Sequence, residues 1–484
     1  MNDLSKAATA PEARPGEAVE QVLYEVRKKI YPRAVTGVFA AWRWFFVLAT
    51  QAVFYGLPWL TWNDRQAVLF DLAARKFYIF GLVFWPQDII YLTVLLIISA
   101  YSLFLFTAVA GRLWCGYACP QTVYTELFMW IERKVEGDRM ARMKLDKQPL
   151  GARKFGRKAT KHGLWILLAL WTGFTFVGYF TPIRAQWGEV WSGALGPWQT
   201  FWILFYGFAT YGNAGWMREQ VCKYMCPYAR FPGVMFDSDT LIITYDTERG
   251  EPRGARSRSA DYKAKGLGDC VDCGICVQVC PTGIDIRNGL QYECIGCAAC
   301  IDGCNQVMAK MGYPKGLIRY STEKAVKERL APGHMLRRVL RPRVLVYTAV
   351  LWAIIIAAAV TLYGRVPVKV DVIRDRASVV RDLDEPVAEN VYRLQIMNTD
   401  ESVREFTIGV SGLQGMELIT QLQPIRLEGA SNRVVPVRVR VARESVKPGS
   451  NAIEFSIQAT EPARPDTQPL VVREKAAFVV QGGS

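Results

Sequence analysis

Histidine is nearly missing from this chain: its 484 residues contain only His162 and His334. A bis-histidine haem, a histidine-rich copper site and a histidine-based zinc hydrolase would each need more, so those chemistries are excluded. Cysteine is missing from residues 305–484, which therefore hold neither a disulfide nor a thiolate metal site. No cleavable signal peptide is expected. The first 37 residues are polar, with Pro11, Pro15 and the basic run Arg27, Lys28, Lys29, and the first apolar run has the length of an anchor.

Apolar and basic residues are in excess. Hydrophobic residues make up 51% of the chain and charged ones 21%, so polar domains must alternate with apolar spans. Five runs, roughly 44–62, 89–110, 163–180, 197–216 and 344–363, reach or approach the ~20 residues that a bilayer crossing takes. A shorter apolar stretch, 77–85, is expected to lie at the membrane interface or to re-enter. The formal charge of +15 would suit a nucleic-acid partner, but the basic residues are concentrated in particular loops. Loop 111–162 is dense in them, including Arg112, Arg133, Lys134, Arg139, Arg142 and Lys144, whereas loops 63–88 and 181–196 hold only Arg65, Arg75, Lys76 and Arg184. Basic loops stay cytoplasmic. The N-terminus, loop 111–162 and segment 217–343 are thus expected inside and the C-terminal tail outside. The charge then faces anionic headgroups, and no nucleic acid is implied. Trp42, Trp44, Trp59, Trp62, Trp187, Trp191 and Trp198 are read as interfacial belts.

These features divide the chain as follows. Residues 1–43 are a cytoplasmic segment and 44–227 a four-helix membrane region. Residues 228–266 are a basic linker, whose 249–265 part is expected to be mobile or draped on the membrane. Residues 267–312 form a ferredoxin-like domain, 313–343 a cytoplasmic connector, 344–363 a fifth span, and 364–484 an all-β sandwich. The sandwich is read from β-branched, alternating segments at 368–373, 391–397, 405–410, 434–441, 452–459 and 470–480, with turns at Asn398-Thr-Asp400 and Pro448-Gly449-Ser450. The fold class is a helical membrane bundle of about five spans carrying a ferredoxin-like domain and an immunoglobulin-like sandwich.

The twelve cysteines all lie between Cys115 and Cys304. Cys270-x2-Cys273-x2-Cys276-x3-Cys280-Pro281 is followed by Cys294-x2-Cys297-x2-Cys300-x3-Cys304, the two-cluster bacterial ferredoxin pattern. In it three thiolates of each 4Fe–4S cubane come from one triplet and the fourth from the other half. Cluster one is therefore expected on Cys270, Cys273, Cys276 and Cys304, and cluster two on Cys294, Cys297, Cys300 and Cys280. Gly274 and Gly296 would allow close backbone approach. A pair of zinc sites fits less well, because zinc needs no interlocking triplets.

A second pattern is duplicated: Cys115-Gly-Tyr-Ala-Cys119-Pro120 and Cys222-Lys-Tyr-Met-Cys226-Pro227. At i and i+4 on a helix the two thiolates would share one face. Thiolates are soft and select Cu(I), zinc or an iron–sulfur cluster. The four cysteines could form one metal site, two separate sites or redox-active pairs, and copper held by all four is the sharpest of these hypotheses.

With Arg75-Lys-Phe-Tyr-Ile-Phe-Gly81, Tyr245-Asp-Thr-Glu-Arg-Gly-Glu-Pro-Arg253, both C-x3-C-P motifs, the eight ferredoxin cysteines and the tail, the chain resembles the CcoG/FixG/RdxA family of cytochrome c oxidase accessory proteins of Gram-negative bacteria. The resemblance implies an inner-membrane protein with a periplasmic C-terminal domain. It also implies reduction of Cu(II) to Cu(I) during assembly of the cbb-type oxidase, with assembly factors and copper chaperones as partners. Two alternatives stand beside it: a quinol-linked relay like NapH or NosR, and a non-enzymatic scaffold or copper chaperone. The electron donor and a homodimeric state are left open.

Overall fold

A computed structural model describes residues 29–229, 231, 235–329, 340–375, 381–382, 387–420, 423–460 and 470–480; His334 lies outside them. Among the described residues three helical stretches are long and apolar enough to cross a membrane: Val38–Trp59, Pro86–Ala110 and Pro342–Tyr363. The second contains helix α2, Ile89–Ala110, whose 22 residues extend about 33 Å, against about 30 Å of hydrocarbon. It packs on the helix Pro342–Tyr363, with Tyr101 edge-on to Tyr347. Helix α1, Val38–Gly56, ends in a single 3-10 turn, Leu57–Trp59.

The expected third and fourth spans take a different form. The basic loop does not run to residue 162 as a loop. It contains short helix α3, Leu113–Tyr117, then α4, Pro120–Glu136, and α5, Arg139–Lys147. Helix α6, Ala152–Val177, then starts well before the apolar run. Helix α7, Ile183–Ser192, leads to α8, Pro197–Thr210, which continues as a π-helix, Tyr211–Met217. Helices α6 and α8 cross closely through glycine: a Cβ on Gly173 would fall 2.2 Å from the Ile203 carbonyl oxygen. Small residues at a crossing are how helices approach without a hydrophobic drive.

The stretch 77–85 is β-structure, between the end of α1 and the start of α2. It supplies strands Lys76–Ile79 and Leu82–Phe84 to a three-stranded antiparallel sheet with Val68–Asp71. The chain turns at Phe80-Gly81, where Phe80 has φ 50°.

Past residue 366 the described chain forms two antiparallel sheets. One has the order Glu417–Ile419, Asn432–Ala442, Val387–Asn398, Val368–Arg374; the other runs Ile425–Leu427, Arg404–Ser411, Gly449–Ala459, Val471–Val480. The core between them holds Tyr392, Leu394, Ile396, Phe406, Phe455 and Phe478, all fully buried. The six strands expected from the sequence are present. The three short ones, including Arg381–Asp382, have too few residues to show a period.

The three-stranded sheet and the C-terminal sheets touch each other. Val83 and Trp85 pack with Met397, Arg65 pairs with Glu401, and Asp88 is buried between Arg365 and Lys369. Five of the seven expected belt tryptophans, Trp42, Trp62, Trp187, Trp191 and Trp198, are exposed. Trp59 packs instead on Trp187.

Candidate metal centre

The ferredoxin-like unit is bracketed by strands Ile242–Tyr245 and Ile318–Ser321, which pair antiparallel. Between them two loops repeat one conformation. Asp272 and Gly274 flank Cys273 at φ of 50° and 63°, and Gly296 and Ala298 flank Cys297 at 70° and 57°. These left-handed turns curl the chain around a centre, which is why glycine sits at 274 and 296.

The eight thiols divide between two small cavities. Cys270, Cys273, Cys276 and Cys304 line one. Cys280, Cys294, Cys297 and Cys300 line the other, with Cys276 on the shared wall. Backbone amides of Gly296, Ala299 and Ile318 point to the sulfurs of Cys294, Cys297 and Cys304. The Thr282 hydroxyl lies 3.3 Å from the Cys280 sulfur. Burial pushes the Cys276 thiol up to about 11 and those of Cys294 and Cys304 up to about 12. A free thiolate is unfavourable there, and a metal replacing the proton removes that penalty. Eight thiols, four to a cavity and met by amide donors, fit two 4Fe–4S cubanes.

The duplicated C-x3-C-P motifs are not two thiols on one helical face, and that expectation is corrected. Cys115 lies in α3, but the helix ends at Tyr117, and Cys119 is extended, φ −62° and ψ 129°, before Pro120 opens α4. Cys222 lies in a π-helical turn, Val221–Met225, and Cys226 is again extended, φ −78° and ψ 113°, before Pro227. The cause is the proline in each motif, which drives the preceding residue out of the helical region. The four thiols nonetheless share one electrostatic neighbourhood: Cys115 senses Cys119, Cys222 and Cys226, opposed by the Arg112 guanidinium. Burial pushes both Cys115 and Cys222 up to about 12. Cys119 accepts amides of Gln121 and Thr122 from the first turn of α4. Among the described residues no three or more His, Cys, Asp or Glu side chains are drawn tightly enough to hold a single ion.

One motif is built directly onto the ferredoxin-like unit. A Cβ on Gly116 would lie 2.8 Å from both Cα and N of Cys297, so the first motif rests on that cysteine's backbone. Arg112 donates to the Tyr292 carbonyl, and a Cβ on Gly296 would be 3.0 Å from the Arg112 carbonyl oxygen. Tyr320 donates to the Gly296 carbonyl at 2.6 Å, with the Tyr117 hydroxyl 3.4 Å away. The second motif has Lys223 where the first has Gly116, and its Tyr224 is exposed. It approaches through Cys222, which lines a cavity with Cys297, Arg43, Gln121, Glu126 and Arg218. The helix Ala299–Met311 is fixed to the bundle by Asp302, whose carboxylate accepts the Phe39 and Ala40 amides at the start of α1.

Sequence reasoning missed Arg43, Gly116, Asp302 and Tyr320. Arg43 had a signal: it is a cation inside an otherwise apolar run, and it is buried, with its Nε unpartnered. Gly116 had a weaker one, its contrast with Lys223 in the repeat. The basic linker is also corrected. Arg249 bonds Asp269 and the carbonyls of Pro314 and Lys315, and Arg256 bonds the Gly268 and Cys270 carbonyls. Segment 249–268 is thereby fastened around Cys270.

Comparison with known proteins agrees with this layout. A signature described as "4Fe-4S dicluster domain" matches residues 217–323, and another, "4Fe-4S binding domain", matches 92–137. The "IG-like fold at C-terminal of FixG" matches 358–481. "Nitrogen fixation protein FixG" of Rhizobium meliloti is 35% identical over 479 residues, 91% of this chain and 91% of that protein. "Protein RdxA" of Cereibacter sphaeroides is 37% identical over 483 residues, 95% of this chain and 99% of that protein. "Ferredoxin-type protein NapH" of Haemophilus influenzae is 25% identical over 236 residues, 45% of this chain and 68% of that protein.

Proposed function

We propose that this chain, which belongs to the FixG/RdxA family of iron–sulfur electron-transfer proteins, reduces Cu(II) to Cu(I) at the cytoplasmic face of the inner membrane during assembly of a cbb-type cytochrome c oxidase. One observation carries the reading: Cys115, Cys119, Cys222 and Cys226 converge beside the Cys297 loop. Cys270, Cys273, Cys276 and Cys304 hold one 4Fe–4S cluster, and Cys280, Cys294, Cys297 and Cys300 the other. When bound, the clusters supply electrons singly, which is what Cu(II) needs to become Cu(I).

The thiols supply the rest. Partial burial favours the protonated thiol at Cys115, Cys119 and Cys222, which makes them poor ligands for a hard ion, but they lose their protons to a soft one. Helix α4 offers two amides to the Cys119 sulfur, which favour its thiolate against burial. The quartet is too open to cage an ion. That suits a substrate that must leave, because Cu(I) is satisfied by two or three thiolates. Assembly factors and copper chaperones are the proposed recipients.

Counting α6 and α8 with the three apolar helices gives five crossings, with the C-terminal sheets periplasmic. The Gly173 crossing and the basic residues of 111–162 support this topology.

A second reading has one observation in its favour. The "4Fe-4S binding domain" signature at 92–137 covers Cys115 and Cys119, so the quartet would hold a further cluster in a membrane relay. Iron analysis separates the two readings. Changing all four quartet cysteines to Ala should leave about eight iron atoms per chain while abolishing Cu(I) production. A loss of about four iron atoms would favour the relay.

A further inference from the structure

Only one of the twelve cysteines is exposed: Cys273. The thiols of the other cavity are covered by the helices, through Gly116 on Cys297 and Arg112 on Tyr292. Cys273 lies three residues past Cys270, the residue to which the linker is fastened. Gly254 donates its amide to the Cys270 carbonyl, and Arg256 grips the Cys270 and Gly268 carbonyls. The Tyr262 hydroxyl bonds Asp269 and its ring lies against Tyr313. The linker thus forms a collar, and the side chains it turns outward are basic: Arg253, Arg258, Lys263 and Lys265 are exposed, as is the neighbouring Lys315. The exposed acids around it are fewer: Glu251, Asp261 and Asp272.

A basic collar fastened three residues from the one exposed cysteine is what a soluble, negatively charged electron carrier would recognise. Complementary charge steers encounter and orients the pair, and it does so without a large buried interface. We propose that the collar 253–265 and the Cys273 edge form the docking surface for an acidic, soluble one-electron carrier. The inference rests on the copper-reductase reading and extends it by naming the class of donor. The stoichiometry is simple: for each encounter the carrier leaves with one electron fewer and one Cu(II) becomes Cu(I), while any proton a thiol gives up on binding copper goes to solvent. The Cys297 loop, beneath Gly116, is the part of the unit that meets the first C-x3-C-P motif.

The test uses the full chain in nanodiscs of zwitterionic lipid and flavodoxin, an acidic one-electron carrier, as the probe. Association should be measurable at low ionic strength and weaken at least about tenfold at high salt. Arg258→Glu combined with Lys263→Glu and Lys265→Glu should weaken it by a similar factor, with iron content and thermal midpoint unchanged. Asp272→Asn, which keeps a residue tolerant of the left-handed turn, should tighten it. Flavodoxin hydroquinone mixed with the oxidised protein should yield its semiquinone, faster at low salt. Four results would each overturn the proposal: no association, equal association by the charge-reversed chain, no tightening in Asp272→Asn, or reduction by a quinol analogue but not by flavodoxin. Copper reduction is measured separately on the wild-type chain reduced with dithionite and freed of it before Cu(II) is added, so failure of the donor site and failure of the copper reading can be told apart.

Discussion

Glu132 shows how much one buried side chain carries. Its carboxylate is almost fully covered and receives Arg142 and Arg218 at 3.0 Å, with Lys161 at 3.8 Å. Burial opposes its charge, but the three cations outweigh burial and hold the carboxyl below the usual carboxylate range. The sign for stability follows. The contribution is present above the ordinary glutamate value of about 4.3 and is lost as pH falls below it. Glu132→Gln should cost about 3–5 kcal/mol by leaving buried cations uncompensated. Thermal unfolding at neutral pH should show the lower midpoint, and the wild-type chain should lose more of its midpoint on acidification than the variant does. Gly116 is critical for a steric reason. Gly116→Val should keep both clusters, read from iron content, yet slow Cu(I) formation by about 10²-fold, typical of a misplacement near 1 Å. Cysteine spacing was legible because a cubane dictates it. Gly116 and Arg43 were not, because their roles arise only where two units remote in sequence meet.

Helix ends, more than helix interiors, decide this architecture. Asp302 sits between two cysteines in sequence, but its carboxylate caps a membrane helix that begins more than 260 residues earlier. Asp302→Ala should release the Phe39 and Ala40 amides at a cost of about 1.5–3 kcal/mol. Hydrogen exchange should rise at residues 37–41 while the thiol cavities remain intact. The prolines after Cys119 and Cys226 act by the same logic, and they explain why helical periodicity misread those motifs. Apolar length located three helices without ambiguity. The other two expected spans were harder to read: α6 begins in charged sequence, and α8 changes to π-helical geometry at Tyr211. The linker looked mobile because arginine, glycine and serine lack a period. Its order comes from guanidinium bonds to the carbonyls of another segment, which no local pattern reveals.

At the scale of the molecule, two units are held at opposite ends of the bundle by different forces. The ferredoxin-like unit is seated by backbone packing and a helix cap, and the C-terminal sheets by ion pairs and a small apolar contact. Glu401→Lys should break the contacts to Arg65 and Asn63. Spin-label distances between the hairpin sheet and the C-terminal sheets should then broaden, without change in iron content. The central claim is that the four C-x3-C-P thiols are where copper is reduced. It is tested most directly by adding Cu(II) anaerobically to the reduced protein and following cluster bleaching together with Cu(I)-chelator colour. The same is done for the chain with Cys115, Cys119, Cys222 and Cys226 changed to Ala. The account predicts bleaching matched one for one by Cu(I) in the wild-type chain and neither in the variant; bleaching without matching Cu(I), or equal rates in both proteins, would contradict it.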